Sequence, residues 1–178
     1  MATDYTKSEA DIIVDLIRQD NGRKPLTSSM VTFGTPNVYI PQPGVNRNTV
    51  VVVTARPGQT LEGSHSYYYN RVPLPQFVNP NVPDILEFVI EGETKLSELL
   101  PRINERLNIN LGVSKIFDRD IPDFEQIGSA GEDIELKVTS NSLVFLSSIM
   151  IHVKPVLIPL GAVIKTKRMD GLTYAPPV

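Results

Sequence analysis

Proline is the feature that most constrains how this chain can fold. Fifteen of the 178 residues are proline, and they cluster at residues 36–43, at residues 73–83 and at the end, at Pro176 and Pro177. Each proline fixes its own φ angle, lacks a backbone N–H and pushes the preceding residue towards an extended conformation. The clusters therefore predict extended arms and stiff connectors rather than packed helices.

The first half, residues 1–72, begins with one predicted helix. Thr6 and Glu9 have the spacing of a capping box, and apolar residues then recur at helical intervals. The β-branched run Thr49–Ala55 predicts a buried strand. Alternating tyrosines predict a second strand within residues 64–72.

The second half, residues 93–160, shows the same order of elements. Thr94 is the predicted cap of a second helix, and Pro101 is expected to kink that helix or to split it. Strands follow, as judged by apolar alternation. They are expected at residues 113–117, 134–139 and 148–153.

The two halves therefore resemble degenerate copies of one unit. Thr6 precedes Thr94 by 88 positions, and Thr54 precedes Thr139 by 85. We predict an α+β fold of two related small units, each with one helix and about three mainly antiparallel strands. Units of this size need to share or abut their cores. Chance similarity between two α+β halves is the alternative.

Extended connectors complete the predicted organisation. Residues 73–92 form a Pro-rich linker with a strand, and residues 161–178 form an extended C-terminal tail. Within it, Met169–Val178 is expected either to lie along a neighbour as an arm, since Gly171, Pro176 and Pro177 forbid regular structure, or to be a disordered terminus.

Composition excludes several classes of function. The chain has no cysteine, so disulfides, thiol catalysis and Cys-based zinc sites are ruled out. Its net charge is −3, and its one basic cluster is Lys165, Lys167 and Arg168, so nucleic-acid binding is not expected. No apolar run is long enough to span a bilayer, and no membrane association is expected.

The two histidines lack the partners that chemistry needs. His65 and His152 both fall in predicted strands, and neither belongs to an HxH, HxxxH or HExxH pattern. Outward-facing strand residues are the simpler interpretation of both.

Three aspartates, Asp118, Asp120 and Asp123, stand close enough together to suggest a calcium loop. The EF-hand pattern needs glycine at position six and glutamate at position twelve, where this chain has Asp123 and Ser129. A solvated acidic turn with Arg119 as counter-charge is therefore the better interpretation. No metal site and no cofactor are predicted.

The run Tyr67, Tyr68 and Tyr69 is the most unusual local feature. Consecutive tyrosines on a strand present aromatic area on both faces, which suits core packing on one side and protein contact on the other. Stacking on a carbohydrate or a base is the alternative. Phosphate-binding loops and nucleophile elbows are absent, so the sequence does not indicate an enzyme.

Ordered motifs along both halves carry a family resemblance. In the first half they are Asp20-Asn-Gly22, Val31-Thr-Phe-Gly-Thr-Pro36, Arg47-Asn-Thr49, Val52-Val-Thr-Ala55, Pro57-Gly58, Gly63-Ser64 and Tyr68-Tyr-Asn-Arg71. In the second half they are Ile103-Asn104, residues 134–139, Ser140-Asn-Ser142 and residues 148–153. Over about residues 8–158 the chain resembles an uncharacterised family of virion structural proteins from large contractile-tailed bacteriophages.

The resemblance implies a structural component of a phage particle, assembled in the bacterial cytoplasm and located in the virion. A head decoration or vertex protein and a neck, tail or baseplate component are both compatible with it. Its partners would be other virion proteins and copies of itself. Candidate interface residues are Tyr67, Tyr68, Tyr69, Pro41, Pro43, Tyr174, Pro176 and Pro177.

Two other functions stay open at this point. The runner-up is a fibre-associated adhesion or glycan-binding module that uses the tyrosine run. An enzyme with a site assembled from scattered carboxylates is the third.

Overall fold

A computed structural model describes residues 3–22, 25–40, 44, 46–82, 84–123 and 130–157. In these ranges the chain forms two helices, α1 (Glu9–Asp20) and α2 (Leu96–Leu107), and small sheets of mainly antiparallel strands, which confirms the predicted α+β class. The strands are β1 Val31–Phe33, β2 Asn37–Val38, β3 Thr49–Ala55, β4 Ser64–Tyr69, β5 Val72–Pro73, β6 Glu87–Ile90, β7 Glu132–Lys137, β8 Phe145–Leu146 and β9 Ser148–Pro155.

Helix α1 begins at a different cap from the one expected. Ser8 is the N-cap residue, and its hydroxyl accepts the backbone N–H of Asp11 at 3.2 Å. Thr6 instead donates its hydroxyl to Asp4 at 2.6 Å, so the predicted capping box is wrong. Glu9 fails to close such a box because its side chain is buried against the second half of the chain.

The first sheet is built around β3. Strands β1 and β2 pair in succession along one edge of β3, with Pro36 between them, and β4 pairs along the opposite edge. All of these pairings are antiparallel. Alternate residues of β3, including Thr49 and Val51, face the core, whereas Val52 faces outward.

Helix α2 continues through Pro101 as one element, so the predicted split is wrong. Its buried leucines lie on both sides of the proline and hold the two parts against one core. The N-cap residue is Lys95 rather than Thr94, and the Glu98 carboxylate accepts the backbone N–H of both. Asp118 adds a further cap by accepting the Ser97 N–H at 2.9 Å.

The second sheet has a different strand arrangement. Its central strand is β9, which pairs parallel with β6 and antiparallel with β7. The predicted strand at 113–117 is instead a 3₁₀ turn, Val113–Lys115, followed by one isolated bridge from Ile116 to Val138. Each half thus contains one helix, but the second sheet takes β6 from the predicted linker, and the two sheets order their strands differently.

The two halves share one core. Ile12 and Val51 from the first half belong to the same buried cluster as Leu99 and Ile151 from the second. The short parallel pair β5–β8 joins the halves directly. No helix in the described ranges is long and apolar enough to cross a lipid bilayer.

Candidate protein-binding surface

The outer edge of β4 presents backbone groups that β3 does not use. Ala55 donates its N–H to the Gly63 carbonyl at 2.9 Å, which sets the alternation along the ladder. The backbone groups of His65, Tyr67 and Tyr69 therefore point towards β3. Those of the intervening residues, Ser64, Ser66 and Tyr68, point away from it, and within the described part of the chain they have no hydrogen-bond partner.

The three consecutive tyrosines have three different environments. Tyr69 is buried, and its hydroxyl donates to the Leu143 carbonyl at 2.6 Å. Tyr67 stacks on Tyr69 with ring centres 5.9 Å apart and donates its hydroxyl to Asp20 at the end of α1. Tyr68 lies on the opposite face of the sheet, and the residue is 42% exposed.

Burial also sets the protonation of the two inward tyrosines. It raises the pKa of Tyr67 above the usual 10.0, and the hydrogen bond to Asp20 raises it further. Burial likewise raises the pKa of Tyr69. Both phenols are protonated at neutral pH, as tyrosines ordinarily are, and the raised pKa values extend the range in which their hydroxyls donate the bonds that fix β4 to its surroundings.

Two hollows border the free edge of β4. The large hollow has a volume of about 550 Å³ and lies between the end of α1 and the inner face of the first sheet. Its apolar lining comes from Ile17, Leu26, Val31, Val53 and Leu61. The small hollow, of about 340 Å³, lies on the other side of the Tyr67–Asp20 hydrogen bond and is lined in part by Tyr5, Ile13, Leu16 and Arg47.

Tyr67 and Tyr68 line both hollows, so the two form one interrupted groove beside β4. A chain added to an exposed strand edge gains backbone hydrogen bonds, and adjacent pockets for alternate side chains give selectivity. We define the β4 edge as Ser64, Ser66 and Tyr68. It offers both features: unused backbone groups, and an adjacent groove on the core side of the sheet.

More apolar surface is exposed on the same sheet. Val38 is 77% exposed and Ile40 is 80% exposed at the end of β2. Tyr39, between them, packs edge-on against Tyr68 with ring centres 4.9 Å apart. The sequence analysis missed these exposed residues, although the apolar residues between Pro36 and Pro41 were a signal for them.

The remaining predicted interface residues, Pro41, Pro43, Tyr174, Pro176 and Pro177, lie outside the described residues. Their contribution to an interface stays a prediction.

The two histidines singled out in the sequence have different surroundings. His152 contacts Asp133 at 2.7 Å and the Ala130 carbonyl at 3.1 Å, and His65 lines the large hollow. Both histidines lie in strands, as predicted. Among the described residues, metal-ligating side chains do not gather in groups of three or more.

The acidic turn, residues 118–120, contacts the N-terminal end of α2. Asp118 accepts both the N–H and the hydroxyl of Ser97, and Asp120 lies 3.3 Å from the Lys95 amino group. Arg119 pairs with Glu135 at 3.2 Å, so its expected role as counter-charge to the neighbouring aspartates is wrong. Asp118 is instead placed where a negative charge stabilises the helix N-terminus.

Comparison with protein families gives one match over nearly the whole chain, residues 2–177. The chain belongs to DUF7941, a family of unknown function. Neither the curated proteins nor the solved structures include a match to the chain. The match to DUF7941 therefore covers both halves of the chain. Any proposal about function rests on the surface just described and on the sequence resemblance.

Proposed function

We propose that this DUF7941 protein is a structural component of a tailed-phage particle and acts through protein–protein interfaces. The single observation that carries the proposal is the β4 edge, with its unused backbone groups beside an apolar groove. Its position in the particle is the head surface or vertex, or the neck, tail or baseplate. It is assembled in the host cytoplasm.

Exposed apolar area on the first sheet supports an interaction role. Val38 and Ile40 are exposed at the β2 side of the sheet, and the outward ring of Tyr68, packed against Tyr39, is exposed on β4 itself. Exposed apolar side chains on a sheet that also has an open strand edge are typical of a surface that another protein covers. The sequence resemblance to contractile-phage virion proteins points to the same class of partner.

The fold also suits repeated assembly. Tyr67 is held at one end by Asp20, and Tyr69 is held by the Leu143 carbonyl, so β4 is ordered before a partner arrives. A preformed edge loses little conformational entropy on binding, which favours affinity.

The decisive experiment is mass spectrometry of purified phage particles with labelled reference peptides. A structural component is present at a regular copy number after density-gradient purification, and labelled particles imaged by cryo-electron microscopy locate it. Absence from purified particles, with the chain found only in the infected-cell lysate, contradicts the proposal.

A glycan-binding module is the second candidate, favoured by the exposed ring of Tyr68 beside Tyr39. Aromatic rings stack on sugars through their faces, and Tyr68 is the member of the tyrosine run with its ring on the outer face. Glycan-array binding by the purified chain that is lost in Tyr68→Ala and kept in Tyr67→Phe would favour this candidate over an assembly role.

A further inference from the structure

We propose that the β4 edge is covered by residues 162–167 from the C-terminal segment of a second copy, which add to β4 as a further strand. This inference rests on the proposed assembly function and names one partner for the surface. It assigns the C-terminal segment, residues 158–178, to a neighbouring copy rather than to its own β4.

The length and pattern of the segment fit the edge. Strand β4 has six residues, and residues 162–167 are six residues without proline or glycine, bounded by Gly161. The β-branched residues Val163, Ile164 and Thr166 favour a strand. In an extended segment, Ile164 and Thr166 lie on one face and Lys165 on the other. One face is therefore suited to the apolar groove.

Charge favours the same occupant. The C-terminal segment contains three basic residues and one acidic residue, while the rest of the chain contains 14 basic and 19 acidic residues. The basic residues are Lys165, Lys167 and Arg168, within or next to the proposed strand. Asp20 and Glu62 line the hollows against one guanidinium, that of Arg47. Attraction between the basic segment and this acidic body orients their encounter.

The path of the chain favours a second copy as the source. The described chain ends at Leu157, just after β9, and no strand of the second sheet lines either hollow. Only residues 158–161 connect that point to the proposed strand, and four residues extend at most about 14 Å. A neighbouring copy that packs beside the first sheet brings its own segment to the edge without that restriction.

The absence of native cysteine allows a direct test in the full chain. Ser66→Cys in one chain and Val163→Cys in a second, size-tagged chain are mixed and treated with a short bismaleimide; in the proposed pairing both side chains lie on the outer face of the sheet, opposite the groove. The proposal expects the mixed product, which the tag separates by size from both homodimers. Val113→Cys, an exposed position on the second half, replaces Ser66→Cys as the matched control and is expected to give no mixed product.

Charge provides a second variant that keeps the fold. Replacing Lys165, Lys167 and Arg168 with glutamate is expected to abolish the mixed product at physiological salt, and Glu62→Lys in the receiving chain is expected to restore it.

Three results would overturn the inference. They are a Ser66–Ser66 homodimer as the main product, crosslinking within a doubly substituted monomer at high dilution, or no product above the Val113→Cys control. Each leaves the virion proposal standing if the chain is found in particles. Conversely, a mixed product from a chain that is absent from particles supports the strand contact and refutes the virion role.

Discussion

Glu9 connects the two halves of the protein, and its removal provides the sharpest test of how they are held together. Its carboxylate accepts the hydroxyl of Ser142 and the N–H of Leu143, each at 2.6 Å. Glu9 is only 7% exposed and Ser142 is fully buried, so water does not replace these bonds freely. The Ser142 hydroxyl in turn accepts the N–H of Phe145 at 3.0 Å, next to the β5–β8 pair.

The expected loss in the free energy of unfolding follows from the two buried donors, the Ser142 hydroxyl and the Leu143 N–H. A hydrogen bond to a charged group contributes about 1.5–3 kcal/mol, and a buried donor left without an acceptor costs about 1–3 kcal/mol. Glu9→Ala leaves two such donors, so we expect a loss of about 3–5 kcal/mol in the free energy of unfolding. For a chain of this size, that lowers the melting temperature by roughly 6–20 °C. Glu9→Gln keeps one acceptor oxygen and is expected to lose about half as much.

Urea denaturation followed by far-ultraviolet circular dichroism measures the change. Asp15→Ala is the matched control, because Asp15 is a carboxylate on the same helix with an exposed ion pair to Lys7. Such a pair contributes about 0–1 kcal/mol. Ser142→Ala removes one of the two donors, and the double variant is expected to show a coupling of about 1–3 kcal/mol with Glu9→Ala. Equal midpoints for Glu9→Ala and Asp15→Ala, or additive single changes, would refute this account of the contact.

Three further predictions concern other parts of the fold. Gly131→Ala is expected to cost about 2–4 kcal/mol in a urea titration, because φ is +85° there and a Cβ would lie 2.6 Å from a β9 carbonyl oxygen. Asp118→Ala is expected to lower the free energy of unfolding by about 1 kcal/mol, since the Ser97 N–H at the start of α2 loses its acceptor. Asp118→Asn keeps an acceptor oxygen and is expected to retain most of that stability. The raised pKa of Tyr67 and of Tyr69 means that the unfolded chain loses phenol protons first as pH rises. The two tyrosines therefore contribute their full stabilisation below the ordinary pKa of 10.0 and lose it as pH rises further, so the urea midpoint should start to drop near pH 10.0, and drop less in Tyr67→Phe.

The elements with strong local signals could be predicted from the sequence. The β-branched run Thr49–Ala55 forms β3 with the expected bounds, and the helical apolar stripes form α1 and α2. The split predicted at Pro101 does not occur, because the cost of one missing N–H is offset by leucines buried on both sides of it, and the predicted kink stays a prediction. At 113–117 the apolar residues suggested a strand, but the Lys115 N–H closes a local turn onto Gly112.

Long-range contacts set the parts that sequence reasoning missed. Glu9 looked like half of a capping box, yet its partners Ser142 and Leu143 are more than 130 residues away. The repeated order of elements likewise did not show which strand would be central. β3, the earlier strand of its hairpin, is central in the first sheet, whereas β9, the later one, is central in the second.

The tyrosine run illustrates the same limit at the candidate surface. Alternation alone places Tyr67 and Tyr69 on one face and Tyr68 on the other, and this was visible in the sequence. Which backbone groups of β4 remain open depends on its register with β3, which the Ala55–Gly63 hydrogen bond sets. An edge is therefore a property of strand pairing, and no single residue in the run indicates it.

The chemistry of the β4 edge adds an argument that it is covered in the working protein. Proteins commonly protect an open edge with lysine, proline or a bulge, because unused backbone groups invite pairing with other chains. Strand β4 has the sequence Ser-His-Ser-Tyr-Tyr-Tyr, and its continuous register with β3 contains no bulge. Its inward tyrosines are tied to Asp20 and to the Leu143 carbonyl, so the strand cannot twist away to hide the edge. In the described part of the chain this edge has none of these protections, and the partner strand that we propose would cover it.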